Sequence, residues 1–215
     1  MGSEQGRTVP DRATLVRALG TLKREGSNVL VVGREQGAHA SICRRLSGES
    51  DRPRYRLFVT TNHSRGPFEH GLDGGVDWVV AYSSEEVDHD AVAADVSVDE
   101  LSALGSELLR VVDGVDAEST DLGPADLRLC VDSLAPLLAE YDAERVFRFL
   151  HVVTSRVRRA NGMGHYHLPI ERDHDDVRLL EPLFDALLEV RTRDGRVEQR
   201  VHLEERDASS QWLSL

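Results

Sequence analysis

Three stretches of the chain carry residue types that could do chemistry. The first is an apolar run, Ser27–Gly33 (SNVLVVG), that opens into Arg34-Glu35-Gln36-Gly37-Ala38-His39-Ala40-Ser41 and a helix expected over about Ala38–Leu46. Strand, loop and helix in that order is where a phosphate-binding loop lies, with Gly33, Gly37, His39 and Ser41 as its candidate residues. The second is Leu127–Leu138 (LRLCVDSLAPLL), a buried strand that delivers Asp132 and Ser133 at its carboxyl end. The third is Met163–Leu168 (MGHYHL), in which His165 and His167 alternate and share one strand face, followed by Asp173, His174, Asp175 and Asp176.

Each stretch is incomplete for the chemistry it suggests. A phosphate loop needs backbone amides around the anion, a Lys to neutralise it and a Ser or Thr hydroxyl for Mg²⁺. Here the Lys position falls on His39 and the hydroxyl position on Ala40, with Ser41 one residue late. The histidine pair offers imidazole ligands, and His174 and Asp175 are ligand types within reach of a short loop, but no diagnostic metal spacing is present. The first reading of His165 and His167 is therefore structural, and metal binding comes second. Cys43 and Cys130 are too few for a disulfide framework and read as small core residues.

These residues must be positioned by a single α/β domain, the natural size for 215 residues. Residues 1–9 read as a disordered tail, 10–206 as one domain and 207–215 as a C-terminal tail whose Trp212 needs an anchor in this domain or in a partner. A helix is expected from Asp11 to about Arg24, strands at Tyr55–Thr60 and Asp77–Tyr82, and helices at Val98–Val112 and from Asp142 to about Ala160. Thr61–Gly75 reads as a long loop and Ser83–Asp95 as a solvated acidic connection. A helical turn at Pro136–Glu140 and a short helix at Asp175–Phe184 follow the same patterning. Asp185–Val190 and Arg196–Glu204 pair as a hairpin across Arg193-Asp194-Gly195. Successive βα units imply a mostly parallel sheet with helices on both faces and an antiparallel edge.

Charge narrows the partners. Asp and Glu number 38 against 26 Lys and Arg, a formal charge of −12, and Lys23 is the only lysine. Such a surface resembles that of proteins from salt-in halophilic archaea, and it argues against nonspecific nucleic-acid binding. No apolar run reaches the roughly 18 residues a membrane span needs, and the N-terminus lacks a signal-peptide pattern, so no membrane role and a cytoplasmic location are expected. Along the long helix, Arg145, Arg148, Arg156, Arg158 and Arg159 form either a salt-bridged solvent face or a surface for oligomerisation or a protein partner.

The order VLVVG, loop, helix, RLFVTTN, LRLCVDSLAPLL, long helix, MGHYHL and FDALLEVRTRDGRVEQRVHL resembles the RecA-type ATPase core of KaiC-like proteins over about Arg12–Leu203. More narrowly, it resembles an uncharacterised haloarchaeal family of degenerate KaiC-like domains. The resemblance implies a three-layer RecA-like fold of the P-loop NTPase type. It places Asp132 where such proteins hold Mg²⁺ and Ser133 beside it, with Mg-ATP as the implied cofactor. The Glu pair that usually ends the second strand and activates water is replaced by Thr61-Asn62. Without Lys, metal hydroxyl or general base, phosphoryl transfer loses most of its machinery. The expectation is a non-catalytic regulatory or scaffold module acting through protein contacts, with weak nucleotide binding left open. The alternatives are an ATPase with an atypical loop and a metal-binding enzyme built on His165 and His167.

Overall fold

Runs of five or six residues that are buried along most of their length are satisfied by strands covered on both faces. The structure, a computed structural model, describes residues 20–48, 54–61, 77–83, 95–118, 123–203 and 208–215. Those runs become β1 (Ser27–Val32), β2 (Tyr55–Thr60), β3 (Trp78–Tyr82), β5 (Leu127–Val131) and β6 (Met163–Leu168). A three-residue edge strand, β4 (Val96–Val98), precedes β5 in the chain, and β7 (Ala186–Arg193) with β8 (Arg196–Leu203) forms the hairpin. Two short strands, β9 (Ala208–Ser209) and β10 (Leu213–Ser214), both pair with β8. The sheet order is β10-β8-β7-β1-β6-β5-β2-β3-β4, parallel from β7 to β4 and antiparallel around β8.

The helices are α1 (Gln36–Ser47), α2 (Leu101–Glu118), α3 (Ala135–Glu140), α4 (Ala143–Arg159) and α5 (Asp175–Leu180), with residues 20–25 also helical. Strand alternation sorts the sheet into two faces. Leu30, Val32, Leu57, Val59, Leu129, Val131 and Tyr166 pack under α2, α4 and α5 in the larger core. Val29, Val31 and the β7–β8 residues Leu188, Val190 and Val201 pack with Ala38 and Ile42 of α1 on the opposite face. Helices therefore cover both faces of a mostly parallel sheet.

α4 follows the expected bounds because its ends are chemically marked. The Asp142 side chain accepts a 2.9 Å bond from the Arg145 amide at the N-terminus, and Asn161 adopts φ 50° beyond its C-terminal end. Its apolar stripe, Val146, Leu150, Val153 and Val157, is buried, each side chain contributing about 1.5–3 kcal/mol. The arginines are largely spoken for within the chain. Arg148 pairs with Glu144, Arg156 bridges Asp113 and Asp116 of α2, and Arg158 meets Asp185 at 2.8 Å.

Several boundaries differ from the sequence reading. Val98 belongs to β4, so α2 begins at Leu101 and extends to Glu118. The helix expected to Phe184 stops at Leu180, and Glu181–Leu183 tightens to a 3₁₀ turn around Pro182. The hairpin strands meet closer to the Asp194-Gly195 turn, with Arg193 opposite Arg196. The segment read as a C-terminal tail adds strands to β8, and Trp212 sits between Arg191 and Arg200, 3.8 and 4.8 Å from its ring centre. The readings for residues 1–9, for the start of the Asp11 helix, and for most of Thr61–Gly75 and Ser83–Asp95 lie outside the described residues. Among the described residues, no helix is long and apolar enough to cross a membrane.

The hairpin carries its own ionic lock. Glu189 accepts bonds from Arg200 (2.7 Å) and lies 3.1 Å from His202 Nε2. Burial pushes its carboxyl up, but the His202 and Arg200 bonds outweigh that and hold it below the ordinary value of 4.5. A carboxylate lowered in the folded state contributes stability above the unfolded value and loses it as pH falls through the folded one. Glu189→Gln should therefore cost about 1–3 kcal/mol at neutral pH. In denaturant titrations repeated at descending pH, the gap from wild type should close only below 4.5.

Candidate functional site

The loop between β1 and α1 is three residues long, Gly33, Arg34 and Glu35, because α1 starts at Gln36 rather than at Ala38. That early start changes what its amides can do. The Ala38 and His39 amides both donate to Glu35 O, at 3.0 and 3.3 Å, so they close the first helical turn instead of circling an anion. Gly33 is pinned on both sides: its amide donates to Ile170 O at 2.9 Å, and a Cβ there would sit 2.2 Å from Val190 O. Its φ of +134° suits only glycine. This glycine serves the close packing of β1 against β7.

His39, at the position where a phosphate loop carries Lys, is buried and turned inward. Its Nε2 lies 2.6 Å from Gly33 O and its Nδ1 2.9 Å from His167 Nδ1. A carbonyl only accepts, so the Nε2 proton belongs to His39, and with His39 neutral its Nδ1 accepts from His167 Nδ1–H. A neutral His167 then carries its lone pair on Nε2. The imidazole of His39 thus laces the loop to β6. Gly37 lies in the first turn of α1, where an added Cβ would meet nothing within 4 Å, and the Ser41 hydroxyl donates to Gly37 O at 3.0 Å. The Gly33 amide, the His39 amide and imidazole, and the Ser41 hydroxyl are thus all bonded within the protein.

Asp132 follows β5 and is 8% exposed. Its Oδ1 accepts from the Thr61 amide (2.8 Å) and lies 2.9 Å from the Thr61 hydroxyl, and its Oδ2 accepts from the Thr60 hydroxyl at 3.2 Å. The Thr61 hydroxyl also reaches Ser133 O at 2.6 Å, and Ser133 Oγ accepts from the Ala135 amide, capping the entry to α3. The carboxylate therefore ties the end of β2 to the end of β5. Asn62 lies outside the described residues.

On the same sheet face, four ligand-type side chains meet. The β5–β6 register sets Cys130 beside His165, and alternation puts His167 on that face two residues on. Cys43 descends from α1, one turn after His39. One nitrogen or sulfur from each of Cys43, Cys130, His165 and His167 lies within 4.8 Å of those from the other three. Sγ of Cys43 stands 3.2 Å from Sγ of Cys130 and 3.5 Å from Nε2 of His165. Exposure of these residues runs from 0% to 3%. Neither cysteine is in a disulfide. Burial, then the Cys43 thiol beside it, pushes the Cys130 thiol well above its ordinary range. His174 and Asp175, offered by sequence as further ligands, sit elsewhere: His174 caps α5 through the Asp176 amide and Asp175 pairs with Arg178.

Burial of both cysteines agrees with the sequence expectation of core residues, whereas their association with the histidines is not part of that expectation. One signal was present: His39 and Cys43 are four apart on a helix, hence on one face. Beside the cluster, Arg128 shares the sheet face, with Nη1 donating to Leu46 O at 2.9 Å, while Arg56 reaches Ser47 O and Gly48 O. These cations close the C-terminal end of α1, where its dipole is negative. Burial first, with Arg54 and Arg56 adding, brings the Arg128 guanidinium down to about 10.

Residues 26–190 match the profile of a family of unknown function (DUF7504). No curated protein matches the chain.

Proposed function

We propose that this chain, which belongs to the family of unknown function DUF7504, is a non-catalytic RecA/KaiC-like module that acts through protein contacts rather than nucleotide turnover. The observation that carries the reading is His39, whose imidazole occupies the place of the loop lysine and bonds Gly33 O and His167 instead of facing a phosphate. Supporting it are the Gly33 amide, which donates to Ile170 O, the Ala38 and His39 amides, which donate to Glu35 O within α1, and Asp132, whose oxygens hold Thr60 and Thr61. Phosphoryl transfer is positioning plus electrostatic stabilisation, and these groups are arranged to position one another. An acidic surface on which Arg148, Arg156 and Arg158 of α4 are already paired suits a partner that brings its own cations. The RecA-type likeness rests on strand order and the parallel register, and the halophile likeness on composition. The same geometry weighs against a catalytic metal centre on His165 and His167, because an open coordination position for substrate needs access that this buried face lacks.

The test is phosphate release from Mg-ATP by the full chain in molar KCl. The expected rate equals that of the buffer. Release that is abolished by Asp132→Asn would replace this reading with that of an ATPase using an atypical loop.

A further inference from the structure

We propose that Cys43, Cys130, His165 and His167 form a closed structural site for one Zn²⁺ ion, clamping α1 to the centre of the sheet. The inference does not depend on the non-catalytic reading, since a structural zinc is compatible with either outcome of the phosphate test.

Geometry is the first ground. Tetrahedral zinc with two thiolates and two imidazoles places its ligand atoms about 3.3–3.8 Å apart. The observed 3.2 Å between the sulfurs and 3.5 Å from sulfur to His165 Nε2 lie close to that spacing, and the 4.8 Å span fits one ion rather than a cluster. The ligands come from three elements, α1, β5 and β6, so only the assembled fold creates the site.

Burial is the second. His165 is fully buried, with Nε2 on a thiol, a weak partner, and Nδ1 with no hydrogen-bond partner. An imidazole placed so costs free energy that a metal bond would recover. The neighbouring residues on this face include Val29, Val31, Leu188 and Phe58, so two buried histidines beside two cysteines are costly as plain packing.

Charge and tautomer are the third. Loading exchanges two thiol protons for one dication, leaving the metal with two thiolates and two neutral imidazoles at net zero charge. A monovalent ion would leave the site negative, and four carboxylates would suit a harder ion. The chain from Gly33 O through His39 to His167 Nδ1–H keeps the His167 lone pair on Nε2, the ligating form. His39 is thereby a positioning residue: it orients a ligand from the second layer, as carbonyl-linked groups do in metal sites.

The experiment uses the full chain, stripped with chelator under reductant and titrated with Co²⁺, then Zn²⁺. One Co²⁺ per chain is expected, with thiolate-to-cobalt charge-transfer absorption and the intense d–d bands of a tetrahedral ion. Zn²⁺ should displace it at one equivalent, and both thiols should stay silent to a thiol reagent until chelator is added. Cys43→Ala and Cys43→Ser should weaken the charge-transfer band and lower affinity. His39→Ala should keep the band and lower affinity about 10-fold. Circular dichroism checks that the variants fold, and if they do not, the wild-type spectrum decides. Lack of stoichiometric cobalt uptake overturns the proposal, as does cobalt bound without a thiolate band, or a Cys43–Cys130 disulfide in metal-free protein.

Discussion

Gly33→Ala is expected to destabilise the protein by about 3 kcal/mol or more, enough to remove much of the stability of a domain of this size. Two costs combine. The backbone at Gly33 has φ +134°, which a side chain adopts only under strain. The new Cβ would also stand 2.2 Å from Val190 O, a backbone atom that cannot swing away as a side chain could. Relief requires β7 to separate from β1 or the loop to swing outward, breaking the 2.9 Å bond from the Gly33 amide to Ile170 O. Denaturant unfolding followed by circular dichroism reads the loss. A near-neutral result would mean that the β1–α1 loop is not held against Val190, and the closed loop would go with it.

The second large effect concerns Asp132, and its sign carries the information. In an active site, neutralising a catalytic carboxylate tends to leave stability unchanged or raise it, because function and stability trade against each other. Here both carboxylate oxygens accept bonds from the end of β2, two of them from hydroxyls and one from the Thr61 amide. Asp132→Ala should leave the Thr61 amide without its acceptor, remove the contacts to both hydroxyls and cost about 2–4 kcal/mol. Asp132→Asn keeps one acceptor oxygen but turns an amide NH₂ toward a donor, and should cost about 1–3 kcal/mol. Thermal or chemical unfolding of both variants checks the order wild type, Asn, Ala. A stabilised Asp132→Asn variant would instead mark the residue as a strained functional acid.

Much of this architecture is legible from sequence, for identifiable reasons. VLVV, RLFV, LRLCV and MGHYHL are continuous buried runs, and such runs in a parallel sheet keep the same signature whatever packs on them. α4 is legible because Asp142 and Asn161-Gly162 write its ends in local chemistry. β4 is not: Val96, Ser97 and Val98 are too short a run to stand out, and Val98 also fits the helical spacing that follows. The hairpin turn is legible in Asp194-Gly195, whereas the Trp212 anchor is a tertiary contact with two arginines on β7 and β8.

The site divides the same way. That His39 and Ala40 replace a lysine and a hydroxyl is plain in the letters. That His39 then turns inward follows from α1 starting two residues early and from Gly33 being trapped by Val190, which only packing decides. His165 and His167 share a face by alternation alone. Their meeting with Cys130 needs the β5–β6 register, and with Cys43 the docking of α1, both of which are long-range. Residues separated by 122 positions, such as Cys43 and His165, leave no local trace of their contact.

Calorimetric titration of the full chain with Mg-ATP in molar KCl tests most directly whether the β1–α1 loop, in which His39 bonds Gly33 O and His167, can take a phosphate. The expected result is the heat of dilution alone up to nucleotide concentrations on the order of millimolar. Saturable binding at one nucleotide per chain, weakened by Asp132→Asn in a variant still folded by circular dichroism, would contradict it.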